Sequence, residues 1–230
     1  MAKNVVTKID DAVAIRHALL SVSNKAGLES LVPQLVESCA KLMIYSTGGT
    51  YASLEKILGL KARQHLQQVT DYTGQPEMQG GLVKTLDFKI YLGLLSETYN
   101  PDHQNDLQRT HAVAIDLVVV NLYPFRETIA KPGVSPEEAR ANIDIGGPCM
   151  IRAAAKNFPR VAVVVDPADY PKLLEELKKS KGKISLQTRY QLAQKAFEHT
   201  AQYDRAISDY LAKTEFSAIE KAYPEIMKRG

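Results

Sequence analysis

The chain has 230 residues, 45% of them apolar, enough to bury a substantial core as one large domain or as a domain with an appended subdomain. Its 29 basic and 26 acidic residues leave a net charge of +3, so no dense positive face for nucleic acid is expected, although scattered Lys and Arg can still serve one phosphate. Cys39 and Cys149 are too few for a disulfide scaffold and lack the paired spacing of a zinc site, a usage that fits a reducing cytoplasm.

The first apolar run, residues 12–20, continues into Ser and Asn rather than a small-residue cleavage site, so no signal peptide is expected. The longest apolar stretch, residues 112–120, is broken by Asp116 and falls short of the ~20 residues a spanning helix needs, which predicts a soluble protein with no membrane partner. Short β-branched runs at residues 14–22, 41–45, 89–95, 117–120 and 161–165 read as buried strands. Helical spacing lies between them, as in Tyr51, Leu54, Ile57 and Leu58, or Tyr170, Leu173, Leu174 and Leu177. A first helix is expected within residues 28–40, starting late because Pro33 is tolerated only in a first turn. This alternation predicts an α/β fold, a parallel sheet covered by helices on both faces. From residue 185 to 213 the period becomes that of a long helix, with Leu186, Tyr190, Ala193, Phe197 and Ala201 as its apolar line, followed by a short helix and a frayed end around Pro224. The organisation expected is an arm over residues 1–13, the α/β domain over 14–184, and a helical cap and tail over 185–230.

Ligands in open α/β sheets bind at the carboxyl ends of strands. Ser23 and Lys25 follow the first strand, and Thr47, Gly48, Gly49 and Thr50 follow the second. Either loop alone is better explained by turn formers and N-caps, but two at adjacent strand ends favour a site for an anion, held by backbone N–H groups and a helix N-terminus. The dinucleotide fingerprint is absent, and Val83 stands where a P-loop has its final glycine, which argues against NAD and ATP. Lys84, in the Gly-rich segment of residues 71–85, reads on the residues alone as a surface charge ahead of a phosphate contact or an acid.

Asn121 and Tyr123 in NLYPF reach the same sheet edge, where the phenol could donate to a developing oxyanion or pack with Phe125. In DIGGPCMIRAAAKN, Pro148 suits a first helical turn, so Asp144, Gly146 and Gly147 precede the positive end of a helix. Lys156, at the other end of that pattern, reads as complementing the C-terminal dipole, and a single helix would not bring it to Asp144. The five histidines form no metal-binding pair, and no Gly-x-Ser-x-Gly elbow exposes a nucleophile.

Together SVSNK, TGGT, TGQPEMQGGLVKTL, NLYPF, DIGGPCMIRAAAKN and AFEHTAQYD, in this order, resemble the IMP cyclohydrolase family over roughly residues 14–212. The resemblance implies a Rossmann-like, methylglyoxal synthase-like three-layer domain that binds a purine ribonucleotide and needs neither metal nor organic cofactor. It implies ring closure of the formamido derivative of aminoimidazole carboxamide ribonucleotide to IMP and water. Carried across motif by motif, Ser23, Lys25, Thr47, Gly48, Gly49 and Thr50 resemble the phosphate-binding elements, with Thr85 and Asn121 nearby. Lys84 and Tyr123 look like the pair nearest the formyl group. Asp144 and Lys156 look like the groups assisting proton movement at the carboxamide, with Gly146 and Gly147 offering N–H groups.

The family usually reads Gly-Gly-Arg-Val-Lys-Thr-Leu-His-Pro, whereas here Leu82, Asp87 and Phe88 stand at the arginine, histidine and proline positions, and Asn24 replaces an aspartate. A leucine cannot supply the bidentate donors of an arginine. The family's usual transformylase half is not in this sequence, so a separate formyltransferase partner is expected, and the oligomeric state, a homodimer included, stays open. The alternatives are a purine-nucleotide sensor of the same fold without turnover and a triose-phosphate lyase like methylglyoxal synthase.

Overall fold

HALLSV, with apolar side chains on both of its faces, has the pattern of a strand buried on both sides, and it forms the centre of the sheet. The computed structural model describes residues 5–75, 84–223 and 225. In chain order its elements begin with β1 (Ala12–Ala14), β2 (His17–Val22), α1 (Leu28–Ser38), β3 (Met43–Ser46), α2 (Gly48–Leu58), α3 (Ala62–His65), β4 (Leu66–Gln68) and α4 (Val69–Thr73). There follow α5 (Phe88–Leu95), α6 (Pro101–Arg109), β5 (Leu117–Asn121), α7 (Phe125–Ile129), α8 (Pro136–Ala141), α9 (Gly146–Lys156) and β6 (Ala162–Val164). The chain ends in α10 (Tyr170–Lys179), β7 (Lys183–Ser185), α11 (Leu186–Lys213) and α12 (Phe216–Ala222).

Five strands pair in the order β4-β3-β2-β5-β6, all parallel. Counted by sequence among themselves they run 3-2-1-4-5, so the chain leaves the centre in opposite directions after β2 and after β5. One face is covered by α1, α2 and α10 against Leu20, Ile44, Val119 and Val164. The other is covered by α5, α9 and α11 against Leu19, Val118 and Val163. This is the three-layer α/β arrangement expected. Among the described residues no helix is long and apolar enough to cross a membrane.

Several elements differ from expectation. Residues 89–95 are helix α5, not a strand: Asp87 caps its first turn, accepting from Lys89 N–H at 2.7 Å, and the buried Ile90, Gly93 and Leu94 follow helical spacing. Gly93 is required because a Cβ there would collide with the Val113 carbonyl. The fifth strand is instead β4, three residues of mixed burial that carry almost no apolar signal. Pro33 does not delay α1, which starts at Leu28 and carries the ring on its exposed side. On α11, Tyr190 and Phe197 face outward, and the buried line is Arg189, Ala193, Ala196, Thr200, Tyr203 and Ala206. Small side chains on this line let α11 settle against Ala153, Ala154 and Ala155 of α9. The tail at Pro224 and residues 226–230 lies outside the described residues.

Arg189 is fully buried and joins the chain's two ends. Its guanidinium donates to the carbonyls of Asp10 (2.7 Å), Asp11 (3.2 Å), Phe158 (3.0 Å), Pro159 (3.0 Å) and Ile184 (2.6 Å). These bonds fasten the antiparallel β1–β7 ribbon to the last long helix. Burial alone would expel the charge, and five oriented carbonyls offset it. Arg189→Met, which keeps the stem but strands the carbonyls, is expected to lower unfolding free energy by about 3 kcal/mol in urea denaturation followed by circular dichroism.

Candidate active site

β2 and β3 end side by side, and each is followed by a helix. Thr47, extended at φ −127°, precedes α2 without capping it through its side chain, so its half-buried hydroxyl remains available. Gly48 has φ +49°, a left-handed conformation that favours glycine. The N–H groups of Gly48 and Gly49 open the helix, where no intrahelical acceptor exists for them. Two lysines overhang this start: Lys25 Nζ lies 3.8 Å from where a Cβ on Gly49 would sit, and Lys84 Nζ 3.5 Å from the same point on Gly48. Two ammonium groups over an exposed helix N-terminus make a cradle for an anion. Thr50, expected among the ligand contacts, is instead buried and spent on the scaffold. Its hydroxyl accepts from Val22 N–H and donates to Val22 O, both at 3.1 Å.

The loop after β2 is fixed from the neighbouring strand. Asn121, the last residue of β5, accepts from Asn24 N–H at 2.8 Å and donates to Asn24 O at 2.9 Å, while its carbonyl accepts from Ser23 N–H at 3.4 Å. Asn24 also accepts from Ala26 N–H through Oδ1 at 2.9 Å, a turn that an aspartate would make equally. Lys25 is thereby carried over α2, with its ammonium also donating to Ser23 O at 3.4 Å.

Beyond the cradle, Thr85 is buried with its Oγ1 2.8 Å from where a Cβ on Gly146 would lie. Gly146 and Gly147 form the first turn of α9 rather than preceding it. A Cβ on Gly147 would come within 2.5 Å of both Asp144 Oδ2 and Leu122 Cδ2, so only glycine admits the carboxyl here. Asp144 accepts from Gly147 N–H at 2.8 Å and is further held by the backbone N–H of Tyr123. Burial nonetheless dominates, and the carboxyl's pKa is raised above the ordinary carboxylate value. The Tyr123 ring is 54% exposed while Phe125 is buried, so the phenol faces solvent rather than the core.

Contacts therefore run unbroken from Asn121 through Ser23, Asn24 and Lys25 to Gly49 and Gly48, then through Lys84 and Thr85 to Gly146, Gly147, Asp144 and Tyr123. Lys156 is not part of this chain of contacts. It is the last residue of α9, about 15 Å of helix from Gly146, at the opposite edge of the sheet beside the entry to β6. Asp144 and Lys156 are thus separated rather than paired. Leu82 lies outside the described residues. Among those described, no group of three or more His, Cys, Asp or Glu is placed to hold a metal ion. The residue that motif reading missed is Tyr203 of α11, whose hydroxyl accepts from Asp144 N–H at 2.8 Å; its only sequence signal was its place in AFEHTAQYD.

Residues 27–149 match the family model described as MGS-like domain, over half of the chain. The chain belongs to the MGS-like domain family. Residues 154–229 match a second model, AICARFT/IMPCHase bienzyme. Among curated relatives, the bifunctional purine biosynthesis protein PurH of Trichormus variabilis is 50% identical over 200 residues, covering 87% of this chain and 38% of that protein. PurH of Desulfitobacterium hafniense is 48% identical over 219 residues, covering 94% of this chain and 40% of that protein. The chain spans about two-fifths of the length of these relatives, at 38% and 40%. Among solved structures, ForH superposes with a TM-score of 0.74 at 32% identity, covering 85% of this chain and 96% of that one.

Within this MGS-like domain the departures at residues 87 and 88 have a local account. Asp87 is a better N-cap for α5 than a histidine, and Phe88 takes the first helical position that suits the usual proline, its ring exposed.

Asp144 makes the site costly to fold. Because its folded pKa lies above the unfolded value, the wild type loses stability as pH rises from the ordinary carboxyl range through the raised pKa, and that deficit persists above it. Asp144→Asn is therefore expected to be more stable than wild type at pH 7, with the gap closing as the pH falls to about 4, the ordinary carboxyl range, in paired urea titrations.

Proposed function

We propose that this domain is an IMP cyclohydrolase, closing the purine ring of 5-formamidoimidazole-4-carboxamide ribonucleotide to give IMP and water. The observation that carries this reading is the joining, at one sheet edge, of an anion cradle at the start of α2, overhung by Lys25, to Lys84 and a buried carboxyl held by backbone N–H groups. A nucleoside monophosphate has the matching polarity, with a phosphate at one end and a neutral heterocycle at the other. The PurH relatives, named as bifunctional purine biosynthesis proteins, and the bienzyme match support the same assignment.

In this mechanism Lys25, the Gly48 and Gly49 N–H groups and the Ser23 and Thr47 hydroxyls hold the phosphate. The carboxamide nitrogen attacks the formyl carbon, giving a tetrahedral carbinolamine, and loss of its hydroxyl with the proton of the formamido nitrogen completes the ring and releases water. An amide nitrogen is a poor nucleophile, so holding the two groups coplanar supplies much of the acceleration. The Tyr123 phenol and the Lys84 ammonium donate to the formyl oxygen as charge builds on it. Asp144, with its raised pKa, takes the proton from the attacking nitrogen and returns it to the departing hydroxyl. No electrons leave the substrate, so the reaction calls for no redox cofactor. A formyltransferase supplies the substrate, and the compartment of the proposed reaction is the cytoplasm.

The competing reading is a nucleotide sensor that binds without turnover, favoured by Leu82 in place of the family arginine. The test is to mix purified protein with the formamido ribonucleotide and follow the ultraviolet change against a no-enzyme control. Turnover is expected, with Lys84→Ala and Tyr123→Phe each lowering kcat/KM by about a hundredfold while the circular dichroism spectrum is kept. Nucleotide binding without turnover would establish the sensor instead. Leu82→Arg is expected to tighten nucleotide binding by about tenfold to a hundredfold, read by calorimetry.

A further inference from the structure

Tyr203 lies on α11, beyond the segment that matches the MGS-like model and inside the bienzyme match. Its ring is buried edge-on against Phe125, with centroids 6.2 Å apart and planes at 66°. Its hydroxyl accepts from Asp144 N–H at 2.8 Å and donates to Asn142 O at 3.4 Å, so it grips the backbone on both sides of Ile143. That turn delivers the Asp144 carboxyl to the N–H groups of Gly147 and Tyr123. The grip acts through the backbone of Asp144, two bonds from the carbon that bears its side chain, and a tilt of the turn would move the carboxyl away from both partners. Burial raises the Tyr203 pKa, with the Asp144 charge adding to it, so the phenol keeps the proton it donates to Asn142.

We propose that Tyr203 is a positioning residue for Asp144, making the C-terminal helix a working part of the site rather than a cover for the sheet. The inference rests on the cyclohydrolase reading above. It extends that reading by assigning to a helix outside the MGS-like match the task of aiming the proton-transfer group.

The experiment uses the full chain with Tyr203→Phe, which removes one oxygen and leaves the ring packed on Phe125. The expected result is an unchanged circular dichroism spectrum, KM for the formamido ribonucleotide within about twofold of wild type, and kcat lowered about threefold to tenfold. Combined with Asp144→Asn, the substitution is expected to cost nothing further, because both changes disable one unit. Tyr210→Phe removes the hydroxyl of the other tyrosine that packs edge-on against Phe125, and it is expected to leave kcat unaltered. Amide exchange of the Asp144 N–H, followed by NMR, is expected to quicken about tenfold in Tyr203→Phe and not in Tyr210→Phe. Losses that add in the double variant, a raised KM with kcat kept, or unchanged exchange would overturn the proposal. Absence of turnover in the wild type would instead overturn the cyclohydrolase reading, a result separable from any behaviour of the variant.

Discussion

The paired hydrogen bonds between Asn121 and Asn24 join the two places where the chain turns away from the centre of the sheet. With strands ordered 3-2-1-4-5, the connections after β2 and β5 depart in opposite directions and leave a crevice between them. Such a crevice binds a ligand well only if its walls hold still. The Asn121 side chain satisfies both polar groups of the Asn24 backbone, and the Thr50 hydroxyl does the same for Val22 two residues earlier. These contacts set where Lys25 overhangs α2, and so the shape of the anion cradle. They also explain why Thr50 belongs to the frame and Thr47 to the cavity, although the two stand three residues apart in one motif.

A second constraint comes from the far end of the sequence. α11 buries an arginine, a threonine and a tyrosine along with its alanines, an expensive line of contact for a helix that merely shields β6 and α9. Two of these polar groups hold other parts of the chain. Arg189 ties β7 and the arm before β1 to the helix, and Tyr203 holds the turn before α9. Their spacing of fourteen residues places them about 21 Å apart along the helix, so one rigid element fastens the chain ends at one point and the site at another.

The sequence conveyed the layered architecture because four of its β-branched runs are buried on both faces, a demand that leaves little room for other residues. It failed at residues 89–95, where the apolar content of a fully packed helix imitates that of a strand and Asp87 is the one local cue to the contrary. β4 was invisible because a three-residue strand with one buried leucine and two glutamines joins the sheet edge largely through backbone bonds. In the site, the loops after β2 and β3 were legible from their clustered Ser, Thr, Gly and Lys. The neighbourhood of Lys84 and Gly48 was not, since nothing local records which loops meet across a sheet edge. Lys156 shows the reverse error. Its helix was recognised, yet the motif's resemblance grouped it with Asp144 although helical rise alone keeps their backbones apart. Tyr203 stayed hidden because a tyrosine at helical spacing reads as core, and its hydrogen bonds belong to a turn fifty-nine residues upstream.

The two ends of the crevice impose opposite electrostatic demands. The cradle is cationic and favours a charged ligand, whereas burial of Asp144 disfavours its charged form, with the Gly147 and Tyr123 N–H groups moderating the effect, and the net direction is upward. The anion end and the carboxyl end are thus kept apart in character by the frame that separates them, and walls stiff enough to hold both in place matter more than any movement of the chain. Asn121 supplies that stiffness on one side of the crevice and Tyr203 on the other.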